Sequence, residues 1–169
     1  MILPFNGKFP TIDPSAYIVD SAVIAGDVEI GAGANIWFHS IIRGDITSIT
    51  IDRDCNIQDA CVLHVARGHP PLILGPGVVL GHRVVVHGCH IGAGSLIGIG
   101  AIVLDGAVIG EEAIIGAGSV VSPHTIIPPR TLAMGVPAKI VRSLNENDLA
   151  MIRGMREEYR KLTEIYRGR

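Results

Sequence analysis

Seven histidines occur in the 169 residues, and three of them, His64, His82 and His87, fall where a six-residue repeat loses its register. A neutral imidazole is a good ligand for divalent transition metals. Three that converge could hold one ion and leave a position open for water. A single histidine on a repetitive surface is ordinarily just solvated, so the metal reading rests on joint placement, and that depends on the elements that carry the side chains.

Those elements follow from a period of six. Aliphatic residues recur at Ile18, Ile24, Ile30, Ile36 and Ile42, then at Ile51, Ile57 and Leu63, then at Leu74 and Leu80. A last run takes Val85, Ile91, Ile97, Val103, Ile109, Ile115, Val121 and Ile127. Small residues such as Ala22, Ala34, Ser95, Ala101 and Ser119 stand four places after the aliphatic. A helix has a period near 3.6 and a lone amphipathic strand a period of two. Six fits one short strand plus a corner, and three such units close a triangular coil with the aliphatic inside. The sequence therefore predicts an all-β solenoid, a parallel β-helix of about six coils from Ile18 onward, roughly 29 Å long at a strand spacing of ~4.8 Å. A Gly-rich sandwich or barrel would not keep one period over so long a stretch.

Composition agrees. Glycine is high at 21 residues and aromatics are only 4%, while hydrophobic residues reach 48%. Small and β-branched side chains must build a narrow, regular interior. The period ends after Met134-Gly135-Val136-Pro137, so 1–142 is read as the β-helix with its lead-in. The tail 143–169 is read as an amphipathic helix of about five turns capped by Asn145, with Leu149, Ile152, Tyr159, Leu162 and Tyr166 near one face. It needs an apolar surface, on its own prism or on a neighbour's. A net charge of −2 gives no reason to expect nucleic acid or an anionic membrane as partner. No stretch is long and apolar enough to span a bilayer, MILPFNGKFP does not read as a secretory leader, and Cys55, Cys61 and Cys89 show no pairing pattern. The expected compartment is cytoplasmic. All three cysteines fall on the small slot and are expected to be buried and inert.

Hexads three apart share a face. Counting from Ile18, Leu63 opens the eighth hexad, Leu80 the tenth and Val85 the eleventh. His64 and His87 thus stack on one face about one strand spacing apart, and His82 lies on another. A three-histidine site needs His82 from a second chain, which a cyclic trimer of triangular prisms would supply. The steps from Ile42 to Ile51 and from Leu63 to Leu74 are long, and the second holds Arg67-Gly68-His69-Pro70-Pro71, which should protrude as a loop. His39, His69, His90 and His124 are expected to be surface or loop residues outside the site.

Arg43-Gly44-Asp45, Asn56-Ile57-Gln58-Asp59, Val62-Leu63-His64, Gly81-His82 and His87-Gly88-Cys89 follow one another in the order and spacing of the γ-class carbonic anhydrases, which this chain resembles over nearly its whole length. The resemblance implies the left-handed sense of the helix and a homotrimer. It implies His64, His82 and His87 as ligands of one divalent metal per subunit, zinc first, with iron or cobalt as alternatives, His82 coming from the adjacent subunit. It implies that Gln58, Asn56 and Asp45 line the site, Gln58 facing the hydroxide or bicarbonate, with Tyr159 nearby and Arg43 and Asp59 as an interface ion pair. The implied activity is reversible hydration of CO2 to bicarbonate by a metal-bound hydroxide. Where some family members carry two proton-transferring glutamates, this chain has Ile46 and Arg67, so the proton is left to buffer or to another group. Two other readings stand beside this one: an acyl-CoA thioester hydrolase or acyltransferase, since hexapeptide prisms are shared with such enzymes, and a non-catalytic metal-binding assembly protein.

Overall fold

The computed structural model describes residues 1–168, so Arg169 at the end of the expected tail lies outside the described residues. Two-residue strands recur around a triangular coil, and each pairs in parallel with the strand one coil away. On the first face Ile18, Ile36, Ile57, Leu80, Ile97, Ile115 and Ala133 stand in register. The second face points Ile24, Ile42, Leu63, Val86, Val103 and Val121 inward, and the third Ile30, Ile51, Leu74, Ile91, Ile109 and Ile127. Every one of these except Ile18 is buried. Fully burying an aliphatic side chain is worth about 1.5–3 kcal/mol, so the column of inward aliphatics is what holds the coil. The chain is a left-handed parallel β-helix of about seven turns, not six. Ile2–Leu3 pairs with Ile24 and Ala25 ahead of the first counted hexad, and Leu132 and Ala133 extend the first face past Ile127. An antiparallel hairpin, Thr131–Gly135 with Ala138–Ser143, ends the coil.

Val86, rather than Val85, is the inward residue. Val86 pairs with Leu63 and is fully buried, whereas Val85 pairs with Val62. The step from Leu80 is then an ordinary six, and the short step of five falls between Val86 and Ile91. Val84, Val85 and Val86 are identical side chains, so hydropathy offers no contrast by which to choose among them.

The long step after Ile42 is one continuous strand, Ile41–Ile51, which bends round the corner beside Val23–Ile30 and merges the second and third faces into one twelve-stranded sheet. Gly26 and Gly44 face each other at the bend. A Cβ on Gly26, which has φ +81°, would stand 2.4 Å from the Gly44 carbonyl oxygen, so the passage tolerates no side chain. It delivers Arg43 and Asp45 to the outer surface. The step after Leu63 does project, with residues 67–71 exposed.

The helix Glu146–Arg167 has 22 residues, about six turns and so a turn more than expected. Asn145 Oδ1 accepts from the Asn147 and Asp148 N–H groups, and the Asp148 carboxylate accepts from the Asn145 N–H. This reciprocal box satisfies donors that a helix start leaves open. Asn145→Ala should cost about 1 kcal/mol, read as a lower midpoint in urea unfolding followed by helical circular dichroism; an unchanged midpoint would count against the cap.

The helix lies on its own prism and covers the first face. Leu149 and Ile152 pack with Val79, Leu96 and Ile114. Further along, Tyr159 and Tyr166 stand edge-on to Trp37, with ring centroids 5.2 and 5.4 Å away. Leu162 turns outward, and Thr163 is buried in its place, because alternating steps of three and four from Leu149 pass through Tyr159, Thr163 and Tyr166. Among the described residues no helix is long and apolar enough to cross a membrane.

Candidate metal centre

His64 and His87 are direct cross-strand partners on the second face, with Arg43 beside His64 on the coil before. His64 Nδ1 stands 3.2 Å from His87 Nε2. Two nitrogens bonded to one tetrahedral ion at ~2.05 Å would be about 3.3 Å apart, so the pair fits a shared ion; the same spacing accommodates an N–H···N hydrogen bond. The far nitrogens are occupied. His64 Nε2 meets Asp45 Oδ1 at 3.0 Å, and His87 Nδ1 meets Asp105 Oδ1 at 2.7 Å. Asp45 is also bonded to Arg43. Burial pushes the Asp45 carboxyl up, but the His64 and Arg43 contacts together outweigh it and hold its pKa below the ordinary value.

His82 sits at the edge of the first face, two residues after Leu80, as Asp59 sits two after Ile57 one coil away. Its Nδ1 lies 2.7 Å from Asp59 Oδ2, and its Nε2 faces the Tyr159 hydroxyl at 3.4 Å. All three histidines therefore share one arrangement. A carboxylate holds one ring nitrogen, the usual orientation of metal-binding imidazoles, and the other faces a neighbouring ring: His64 and His87 face each other, and His82 faces the Tyr159 hydroxyl.

The expected site residues fall into two groups. Arg43, Asp45, His64 and His87 meet on the second face. Asn56, Gln58, Asp59, His82 and Tyr159 gather at the edge of the first. Asn56 and Gln58 are buried beside the C-terminal helix. Gln58 Nε2 donates to Asn56 Oδ1 at 3.0 Å, Asn56 donates to Asn35, and Asn35 Oδ1 accepts from Trp37 Nε1 at 2.8 Å. Burial, then the Asp59 carboxylate, raises the Tyr159 pKa above that of a free phenol, so the hydroxyl keeps its proton. Within one chain Arg43 pairs with Asp45 and Asp59 with His82, so the Arg43–Asp59 pair does not form there. Among the described residues of one chain no three His, Cys, Asp or Glu side chains converge tightly enough to hold a metal ion.

His90 is exposed on the third face between Ile73 and Val108, away from His87. His39 and His124 occupy corners with φ of +60° and +59°. His69 is an exposed loop residue, as expected, and its Nδ1 lies 3.6 Å from the Asp105 oxygen that His87 uses. Asp105 was not anticipated. It lies one coil beyond His87, where Val86 pairs with Val103, so inspecting acids in the next coil would have found it. Asp105→Asn should weaken zinc binding about 10–100-fold, measured by competition with a chromogenic chelator; wild-type affinity would remove Asp105 from the site. Cys55, Cys61 and Cys89 are buried, and burial pushes each thiol up to about 12, which leaves them as packing residues.

Residues 88–123 match the bacterial transferase hexapeptide family (six repeats). γ-Carbonic anhydrase 1 of Arabidopsis mitochondria is 37% identical over 76 residues, covering 42% of this chain and 28% of that protein. A carbonic anhydrase of Geobacillus kaustophilus is 47% identical over 168 residues, covering 99% of this chain and 92% of the relative. The chain belongs to the γ-class carbonic anhydrase family. A Bacillus cereus structure named as an acetyltransferase superposes on this chain with a TM-score of 0.95 at 45% identity, covering 99% of this chain and 96% of that one.

Proposed function

We propose that this protein is a γ-carbonic anhydrase that hydrates CO2 reversibly to bicarbonate at metal centres completed between the subunits of a homotrimer. The observation that supports this reading is the common setting of the three histidines, each with one ring nitrogen held by its own aspartate and the other directed away from it. His64 and His87 of one subunit and His82 of its neighbour would hold the ion. Zinc suits three imidazoles; iron and cobalt suit them too. When bound, such a cation supplies the acidity that turns water into a nucleophile near neutral pH.

The remaining work falls to the protein's own groups. Asp45, Asp59 and Asp105 fix the imidazole orientations. The Gln58 amide nitrogen donates to Asn56, so its carbonyl oxygen is the end that would accept a hydrogen bond from water or from the bicarbonate hydroxyl. Tyr159, protonated, donates a hydrogen bond beside His82. Arg43 of one subunit would pair with Asp59 of the next.

One observation favours a second reading, acyl-CoA thioester hydrolysis or acyl transfer. Beside His82 a cavity of about 410 Å³ opens between helix and prism, lined by Leu96, Ile99, Met155 and Tyr159, larger than CO2 requires. Stopped-flow CO2 hydration by trimer loaded with zinc, or anaerobically with iron, separates the two. Hydration that depends on the metal supports the anhydrase; acetyl-CoA cleavage without hydration replaces it with the second reading.

A further inference from the structure

We propose that His69, held by Asp105, is the group that carries protons between the metal centre and solvent. This rests on the anhydrase reading. Each CO2 hydrated to bicarbonate releases one proton, which must leave for the reverse reaction not to follow at once. Ile46 has no polar side-chain atom and Arg67 no acceptor atom.

The groups around the histidine pair narrow the choice. Asp45 is engaged by both Arg43 and His64. Asp105 receives the His87 ring nitrogen. Arg43 and Arg67 are donors with no acceptor atom. His69 is the remaining titratable side chain tied to the pair. It sits on the exposed 67–71 loop, its backbone N–H donating to Ala66 O at 3.2 Å. Its side chain is 42% exposed, yet Nδ1 reaches within 3.6 Å of Asp105 Oδ1. It is hydrogen-bonded to neither His64 nor His87. The ring thus has one edge on the carboxylate that steadies His87 and the other toward solvent, and a water molecule can close the 3.6 Å gap. An imidazole has two ring nitrogens, one able to accept a proton while the other gives one up. A proton passed outward through that water is taken on the inner nitrogen as one is released from the outer nitrogen to a buffer base; the ring is left in its other tautomer and a ring flip restores the first, so each turnover exports one proton and nothing is oxidised or reduced.

The test uses zinc-loaded wild type, His69→Ala and His69→Gln. Hydration at low buffer should fall at least about tenfold in both variants with KM little changed, and added imidazole should restore His69→Ala. Zinc content should equal wild type, and in the cobalt-loaded protein the His69 ring protons should show a paramagnetic shift. Wild-type rates at low buffer in both variants, an unshifted His69 ring, or loss of zinc from the variants would overturn the assignment while leaving the anhydrase standing. A zinc- or iron-loaded wild type that hydrates no CO2 would overturn the parent reading and this one with it.

Discussion

Replacing any one of His64, His82 or His87 with Ala should take bound zinc from about one ion per chain to near zero, since two imidazoles make a poor zinc site. The fold should survive. The inward residues next to these histidines, Leu63, Leu80 and Val86, are fully buried and untouched, so circular dichroism and the unfolding midpoint should stay close to wild type. His39→Ala, His90→Ala and His124→Ala should keep their metal, as these rings lie on other faces or corners. Metal stoichiometry by plasma mass spectrometry decides it. Zinc lost from His90→Ala and kept by His82→Ala would break both the face assignment and the family alignment through this segment.

The second large effect is complementation. His64→Ala and His82→Ala should each be metal-free, yet trimers reassembled from an equal mixture should bind zinc. A whole site needs an intact His64 and His87 on one subunit and an intact His82 on the next, and a head-to-tail ring joins unlike surfaces at every contact. Random assembly then gives each interface about a one in four chance of the productive pairing, so the mixture should recover about a quarter of wild-type zinc. No recovery, with exchange of subunits shown by mass spectrometry, would mean that His82 serves a site within its own chain.

The coil was legible because its inward column is chemically uniform: Ile, Leu or Val every six residues leaves little else for the backbone to do. Legibility failed where that uniformity was too great, at Val84-Val85-Val86, and at the ends, where the strand pairing of Ile2–Leu3 and of Leu132 and Ala133 carries no repeat signal of its own. Counting faces put His64 with His87 and His82 elsewhere, because register needs only sequence distance. It did not give the partners. Arg43 turns to Asp45, and Asp59 to His82, because side-chain reach on a corner depends on backbone direction rather than on hexad number. Asp105 and His69 were missed for related reasons. One is separated from His87 by 18 residues although adjacent in space, and the other lies on a loop whose path the repeat does not specify.

Trp37 is the chain's one tryptophan, and it is buried with Tyr159 and Tyr166 of the C-terminal helix against its edge. The protein therefore contains its own optical probe of how that helix is seated. Emission from this indole reports a single place, the junction where the helix crosses the prism, and is nearly blind to the rest of the coil. Tyr159 couples that junction to His82, so a change at the histidine can reach the indole through one aromatic ring. Ligand arrival and helix release can then be timed in the unmodified protein by intrinsic fluorescence, without a dye or an added label.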